Sequence, residues 1–152
     1  MRLIQQIGQM LAKAVALRQE GRTAEALAEI DLLCLQTVGL PLERIRRLSP
    51  ESLAQTLAMG GALRHHRAIM LAELLLQDAE VSVAADRGKD ALLSRLHAFC
   101  LLADAVPFLP VAERGDYRLK ADALATQLRS FAAHPYLGEK IRSYEASGAA
   151  SP

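Results

Sequence analysis

His66, Glu73 and Glu80 recur at seven-residue intervals, and a histidine with two carboxylates is a set that can move protons or line a polar groove. Seven residues are close to two helical turns, so the three side chains share one stripe of a helix. Such a stripe is ordinarily a solvated seam between apolar faces; the alternative is a polar pocket lining built on His66 and Glu73. His65 adjoins His66, and neighbours on a helix point about 100° apart. The pair therefore cannot grip one metal as an i, i+4 pair does. His97 falls within an apolar stripe and reads as a core or boundary histidine. His134, before Pro135, reads as a helix-terminus residue.

The densest basic set is Arg44, Arg46, Arg47, Arg64 and Arg67. If the short helix between its two halves folds back, the guanidinium groups meet and can bind an anion or an acidic peptide terminus. Otherwise they are dispersed surface charge. The candidate binding residues are accordingly Arg44, Arg47, Arg64, His66, Arg67 and Glu73. No aromatic residues interleave with the arginines, which argues against stacking on single-stranded nucleic acid. Asp31 flanks an apolar helix face and is expected to form a structural pair with Arg18 or an arginine of Leu42–Arg47. Arg114-Gly115-Asp116 matches an adhesion tripeptide by chance. No phosphate-binding loop, nucleophile elbow, Cys-x-x-Cys pair or zinc-hydrolase helix occurs, so no catalytic residue, metal or cofactor is assigned.

The elements that must position these residues are helices. Of the 152 residues 51% are hydrophobic and only 4% aromatic, so Leu and Ala carry the apolar load and favour helix over strand. A net charge of +1 supplies no field to steer the chain to nucleic acid or an acidic membrane. Cys34 and Cys100 lie in apolar helical patterns and are expected as buried free thiols, which suits the cytoplasm. The longest unbroken apolar runs, Ile69–Ala72 and Leu74–Leu76, fall far short of the ~20 residues of a membrane span.

Leu3, Ile7, Met10, Leu11, Ala14 and Leu17 recur at helical spacing and predict a first helix, stopped by Gly21. Thr23 is positioned to cap a second helix, whose main face is Ala26, Ile30, Leu33 and Thr37. Leu32 and Leu35 fall outside that face. Gly39 and Pro41 end it. Ser49-Pro50-Glu51 starts a short helix with a hydroxyl cap, a first-turn proline and a dipole-matched carboxylate. Leu48 and Leu53 are spaced to staple it. A long, two-faced central helix follows to about Asp86, then a Leu-rich helix after a break at Gly88. A sixth helix opens at Pro110 with an expected interruption at Gly115. Leu137, Ile141 and Tyr144 suggest one more short turn. Ser147–Pro152 is expected to be a disordered tail, leaving residues 1–146 as one helical domain.

Ala14, Leu17, Gly21, Ala26, Ile30 and Leu33 match in type and spacing a tetratricopeptide-type repeat of about 34 residues, and residues 7–40 resemble one such unit. The large aromatics usual in that repeat are absent, and Val38 stands where proline is common. The chain as a whole is also similar to small helical bacterial proteins, a likeness that implies no activity. Gly21 and Gly88 lie about two such periods apart, which suggests an imperfect duplication of a hairpin or a coincidence.

The expected fold is thus all-α, six or seven antiparallel helices stacked as tetratricopeptide-like hairpins. The resemblance implies a protein-interaction module that binds a protein or peptide. The rival expectation is a small-molecule or anion binder, or an enzyme, with a pocket near His66 and Glu73. The surplus apolar surface on the second and fourth helices also suggests a homodimer. No nucleic-acid or membrane partner is expected.

Overall fold

The computed structural model describes residues 3–59, 61, 64–131 and 135–150. The chain is all-α, with no strand among the described residues. The described residues form eight α-helices, in order α1 Leu3–Gln19, α2 Thr23–Val38, α3 Leu42–Arg47, α4 Pro50–Ala58, α5 Arg64–Ala84, α6 Gly88–Ala105, α7 Val111–Leu128 and α8 Pro135–Ala150. Short 3-10 turns at Val106–Phe108 and Arg129–Phe131 extend α6 and α7.

The count exceeds the expected six or seven because Leu42–Arg47 is a helix of its own. Six residues are too few for periodicity to reveal a helix. Asp31 makes α3 possible. Its Oδ1 accepts the backbone N–H of Leu42 at 2.8 Å, satisfying one of the donors a helix start leaves open. The arginine pairing expected for Asp31 is therefore replaced by a cap.

Two hairpins share one turn geometry. After α1, Gly21 has φ +74°. Its N–H bonds to the Arg18 carbonyl, and the Arg22 N–H reaches back to Leu17. After α5, Asp86 has φ +60°, its N–H bonds to Val83, and the Arg87 N–H reaches back to Ser82. Both are Schellman closures, which satisfy the last carbonyls of the first helix. The second break thus falls at Asp86, and Gly88 is already the first residue of α6. Thr23 likewise is the first residue of α2 and gives no side-chain cap, because the turn leaves Arg22 at the N-cap position. Beside each turn a pair of buried alanines sits at matching places, Ala14 with Ala26 and Ala79 with Ala91. Small side chains there let the helices approach closely.

The Ser49 cap forms as its sequence predicts: Ser49 Oγ accepts the Ser52 N–H at 3.1 Å. Helix α7 runs unbroken through Gly115, since one glycine costs only about 1 kcal/mol and the flanking Tyr117, Ala121 and Leu124 are buried. The expected short turn around Leu137 is a full helix, α8, held by burial of Leu137 and Ile141. It continues through residues 147–150, so helix covers most of the expected tail. Residues 151 and 152, Leu63 and the helix-terminus position of His134 lie outside the described residues.

The centre of the fold is the α5–α6 hairpin. Helix α2 packs on α5, α1 on both α2 and α5, and α7 and α8 on α6, while α3 and α4 cover the α5–α6 pair from a third side. Ile69, Leu71, Leu74, Leu75, Phe99 and Leu102 are fully buried there. The segment Gly88–Phe108 is long and apolar enough to cross a membrane by length and composition, with mean hydropathy 1.4, and 56% of that window is buried within the fold. Its apolarity therefore has neighbours to satisfy it.

Candidate functional site

The central hairpin carries the most polar interior of the molecule. Asp78 on α5 has no exposed surface, and Arg46 on α3 is buried over it with its outer edge toward the rim. Arg46 Nε donates to Asp78 Oδ2 at 3.1 Å, and Arg46 Nη2 to Oδ1. Ser94 Oγ on α6 donates to the same carboxylate. Arg46 Nη1 lies 3.8 Å from both Glu43 and Asp90 at the rim. This forked pair pins α3 to α5 and α6. It is closed on all sides by its own partners, so it is structural.

Arg46 is thereby removed from the basic set expected to bind an anion, and the remaining arginines do not converge. Arg44 and Arg47 point outward from α3, with Arg47 Nη2 on Glu43 at 2.9 Å. Arg67 lies with His66 in an open depression of about 410 Å³ between α1, α2 and α5, beside Leu3, Met10 and Met70. Arg64 lies elsewhere, beside His65.

Glu73 is separated from His66 as well. It is buried on the side of α5 that faces α7, where Lys120 Nζ donates to its Oε1 at 2.5 Å. Glu80 shares that second depression with Arg95 and Gln77, and His66 does not. The seven-residue stripe is continuous along α5, but different helices cover its two ends. Among the described residues His66 and Glu73 thus line separate depressions.

His97 is only 2% exposed. Its Nε2 lies 2.7 Å from the Leu48 carbonyl and its Nδ1 3.0 Å from the Leu93 carbonyl. Burial pushes its pKa down, against the pull of those carbonyls. A neutral ring has one N–H, so it donates to one of the two carbonyls at a time. His97 thus ties the α3–α4 junction to α6 as a core histidine. Cys34 and Cys100 are buried free thiols, each pushed up to about 12 by desolvation. Among the described residues no three His, Cys, Asp or Glu side chains gather as a metal cluster.

Two further concave features bear on function. The first is an apolar groove of about 280 Å³ between α4, α5 and the end of α6. Ala54, Leu57 and Ala58 form one wall, and Leu101 and Ala105 the floor. At its rim the Phe108 ring stacks on His65 with centroids 4.2 Å apart and planes 5° from parallel. Arg64 Nε contacts His65 Nε2 at 3.3 Å, and Asp104 stands opposite. Burial and the neighbouring Arg64 lower the His65 pKa. The second is a cationic cleft between α7 and α8, lined by Arg114, Arg118 and Lys140. Sequence reasoning passed over both. Arg114 and Arg118 were legible as an i, i+4 pair, but nothing local says which helix faces them.

No family model matches the chain, and no curated protein or solved structure is significantly similar to it.

Proposed function

We propose that the chain is a protein-interaction module whose α4–α5–α6 groove takes an apolar side chain of a partner peptide, with an acidic neighbour directed to Arg64. The apolar groove with a half-exposed aromatic rim is the observation that carries this reading. Its volume, about 280 Å³, falls below the roughly 300–1,000 Å³ usual for small-molecule sites, and suits one or two anchoring side chains. Phe108 is 65% exposed although it is one of only three phenylalanines in the chain, and aromatic anchors of this kind dominate binding energy. Among the described residues the rim arginine bonds a histidine and no carboxylate, which favours an acidic partner. The matched Schellman turns and alanine pairs of the α1–α2 and α5–α6 hairpins support the finer reading of two degenerate tetratricopeptide-like units. The cytoplasm remains the proposed setting.

A peptide-display selection tests the reading. Selected peptides should share an apolar anchor beside Asp or Glu, and should lose binding to Ala58→Trp, which fills the groove from an exposed position. Equal binding to Ala58→Trp with an unchanged thermal melt would refute it. A homodimer is the second reading, supported by Leu32 and Leu35 on the outer face of α2, which are 47% and 43% exposed. Light scattering that gives one chain's mass, 16.5 kDa, at every dilution would remove that reading.

A further inference from the structure

The cleft between α7 and α8 is built from two helix faces. Arg114 and Arg118 stand one turn apart on α7. Lys140, Ser143 and Ser147 follow at helical spacing on α8 and face them across the end of α6. The space they enclose measures about 270 Å³.

The negative groups around the cleft are already answered. Lys140 Nζ bonds Asp104, the single carboxylate in the lining. Arg114 Nε donates to the Leu109 carbonyl at 2.8 Å, which closes the turn after α6 and leaves its terminal nitrogens over. The Tyr144 hydroxyl donates to Asp122 and lies 3.2 Å from the Arg118 carbonyl. Arg118 itself has no ion pair or side-chain hydrogen bond among the described residues, although it is partly buried in the cleft wall. A partly buried arginine without an ion pair, beside Arg114 and the Asp104-paired Lys140, makes the cleft a positive site.

We propose that this cleft binds a doubly charged oxyanion group of the phosphate-monoester type. Guanidinium forks match the oxygen spacing of such a group, and Arg118 with the Arg114 terminal nitrogens supplies them from adjacent turns. Lys140 adds a point charge from the opposite wall, and the exposed Ser143 hydroxyl adds a donor. Three cations face Asp104 in the lining, with Asp122 behind Tyr144, so the cleft keeps a positive balance, and each of those cations attracts a dianion about twice as strongly as a monocarboxylate. This inference does not rest on the apolar groove; the two features share only Asp104.

The test is calorimetric titration of the whole chain with inorganic phosphate and with phenyl phosphate, at constant ionic strength and neutral pH, with acetate as control. Saturable binding of both phosphates, with none of acetate, is expected. Arg118→Gln should weaken it about tenfold or more, as loss of a charge-assisted hydrogen bond does. Arg67→Gln, which removes an exposed arginine from the α1–α2–α5 depression, should leave it unchanged. Binding of phenyl phosphate should also fall at mildly acidic pH, below the second pKa of about 6 of a phosphate monoester. Because the Arg118 side chain makes no ion pair, its removal should leave the melt without phosphate unaltered. The proposal is overturned by absent saturation, by equal binding of acetate, by pH-independent binding, or by Arg118→Gln binding like the parent.

Discussion

Replacing Arg46 by Met should be among the most damaging single changes in this protein, and more damaging than replacing Asp78 by Ala. Asp78 has no exposed surface and accepts from Arg46 Nε, Arg46 Nη2 and Ser94 Oγ. Arg46→Met removes two of those three donors and leaves a buried carboxylate with one hydroxyl. Breaking a buried pair in this way costs about 3–5 kcal/mol, because the remaining charge cannot regain water. Asp78→Ala leaves Arg46 instead, at the edge of the cluster, with Asp90 and Glu43 each 3.8 Å from its Nη1. That guanidinium can turn to the rim, so the loss should be smaller, about 2–3 kcal/mol from the vacated space and the lost bonds. The double replacement Arg46→Met with Asp78→Leu removes both charges and should lie closer to the parent than Arg46→Met alone. Urea unfolding followed by circular dichroism, with the slope checked for constancy, gives all three values. If Arg46→Met costs under about 1 kcal/mol, or the double replacement is additive, the pair does not hold α3 in place and the reasoning fails.

Gly21→Ala should destabilise by about 1 kcal/mol, since an added Cβ meets no atom within 4 Å and the cost is conformational alone. Asp86→Gly should do the reverse by a similar or smaller amount, because φ +60° is strained for an L residue; a thermal melt unmoved by both would contradict the turn geometry. Ser49→Ala should cost roughly 0.5–2 kcal/mol, read from the urea midpoint. Stability should fall as pH rises above about 9. The folded Cys34 and Cys100 thiols hold their protons up to about 12, whereas the unfolded thiols release them near 9.0, so proton loss in that window favours unfolding. The raised pKa values of Tyr136 and Tyr144 act in the same direction at higher pH. Urea midpoints measured across that range should drop less for Cys34→Ala with Cys100→Ala, once each is referred to its own value at neutral pH.

Local sequence determined the elements of this protein. Helix α1, the Gly39 stop of α2 and the Ser49 cap of α4 were all legible, because caps, stops and 3.6-residue stripes are interactions within a few residues. The two-sided apolarity of α5 announced a central helix, and the stripe holding His97 announced a buried histidine. Misreadings arose where a distant partner changed the local answer. Leu42–Arg47 is helical because Asp31, on another helix, caps it. Gly115 does not break α7, because burial of its neighbours outweighs one glycine. Asp86 takes the left-handed turn that glycine usually supplies, since the α5–α6 hairpin must close there.

The tertiary structure alone decided which polar residues meet. His66 and Glu73 share a stripe on α5, yet α1 and α2 cover one end and α7 the other. Arg46 and Arg47 are neighbours in the chain, and packing sends one to a buried carboxylate and the other to solvent. Arg118 and Lys140 face each other only because α7 and α8 both dock on α6. Charge carries no periodicity that names its partner. Helix spacing places a side chain on a face, and only the packing of helices settles what that face meets.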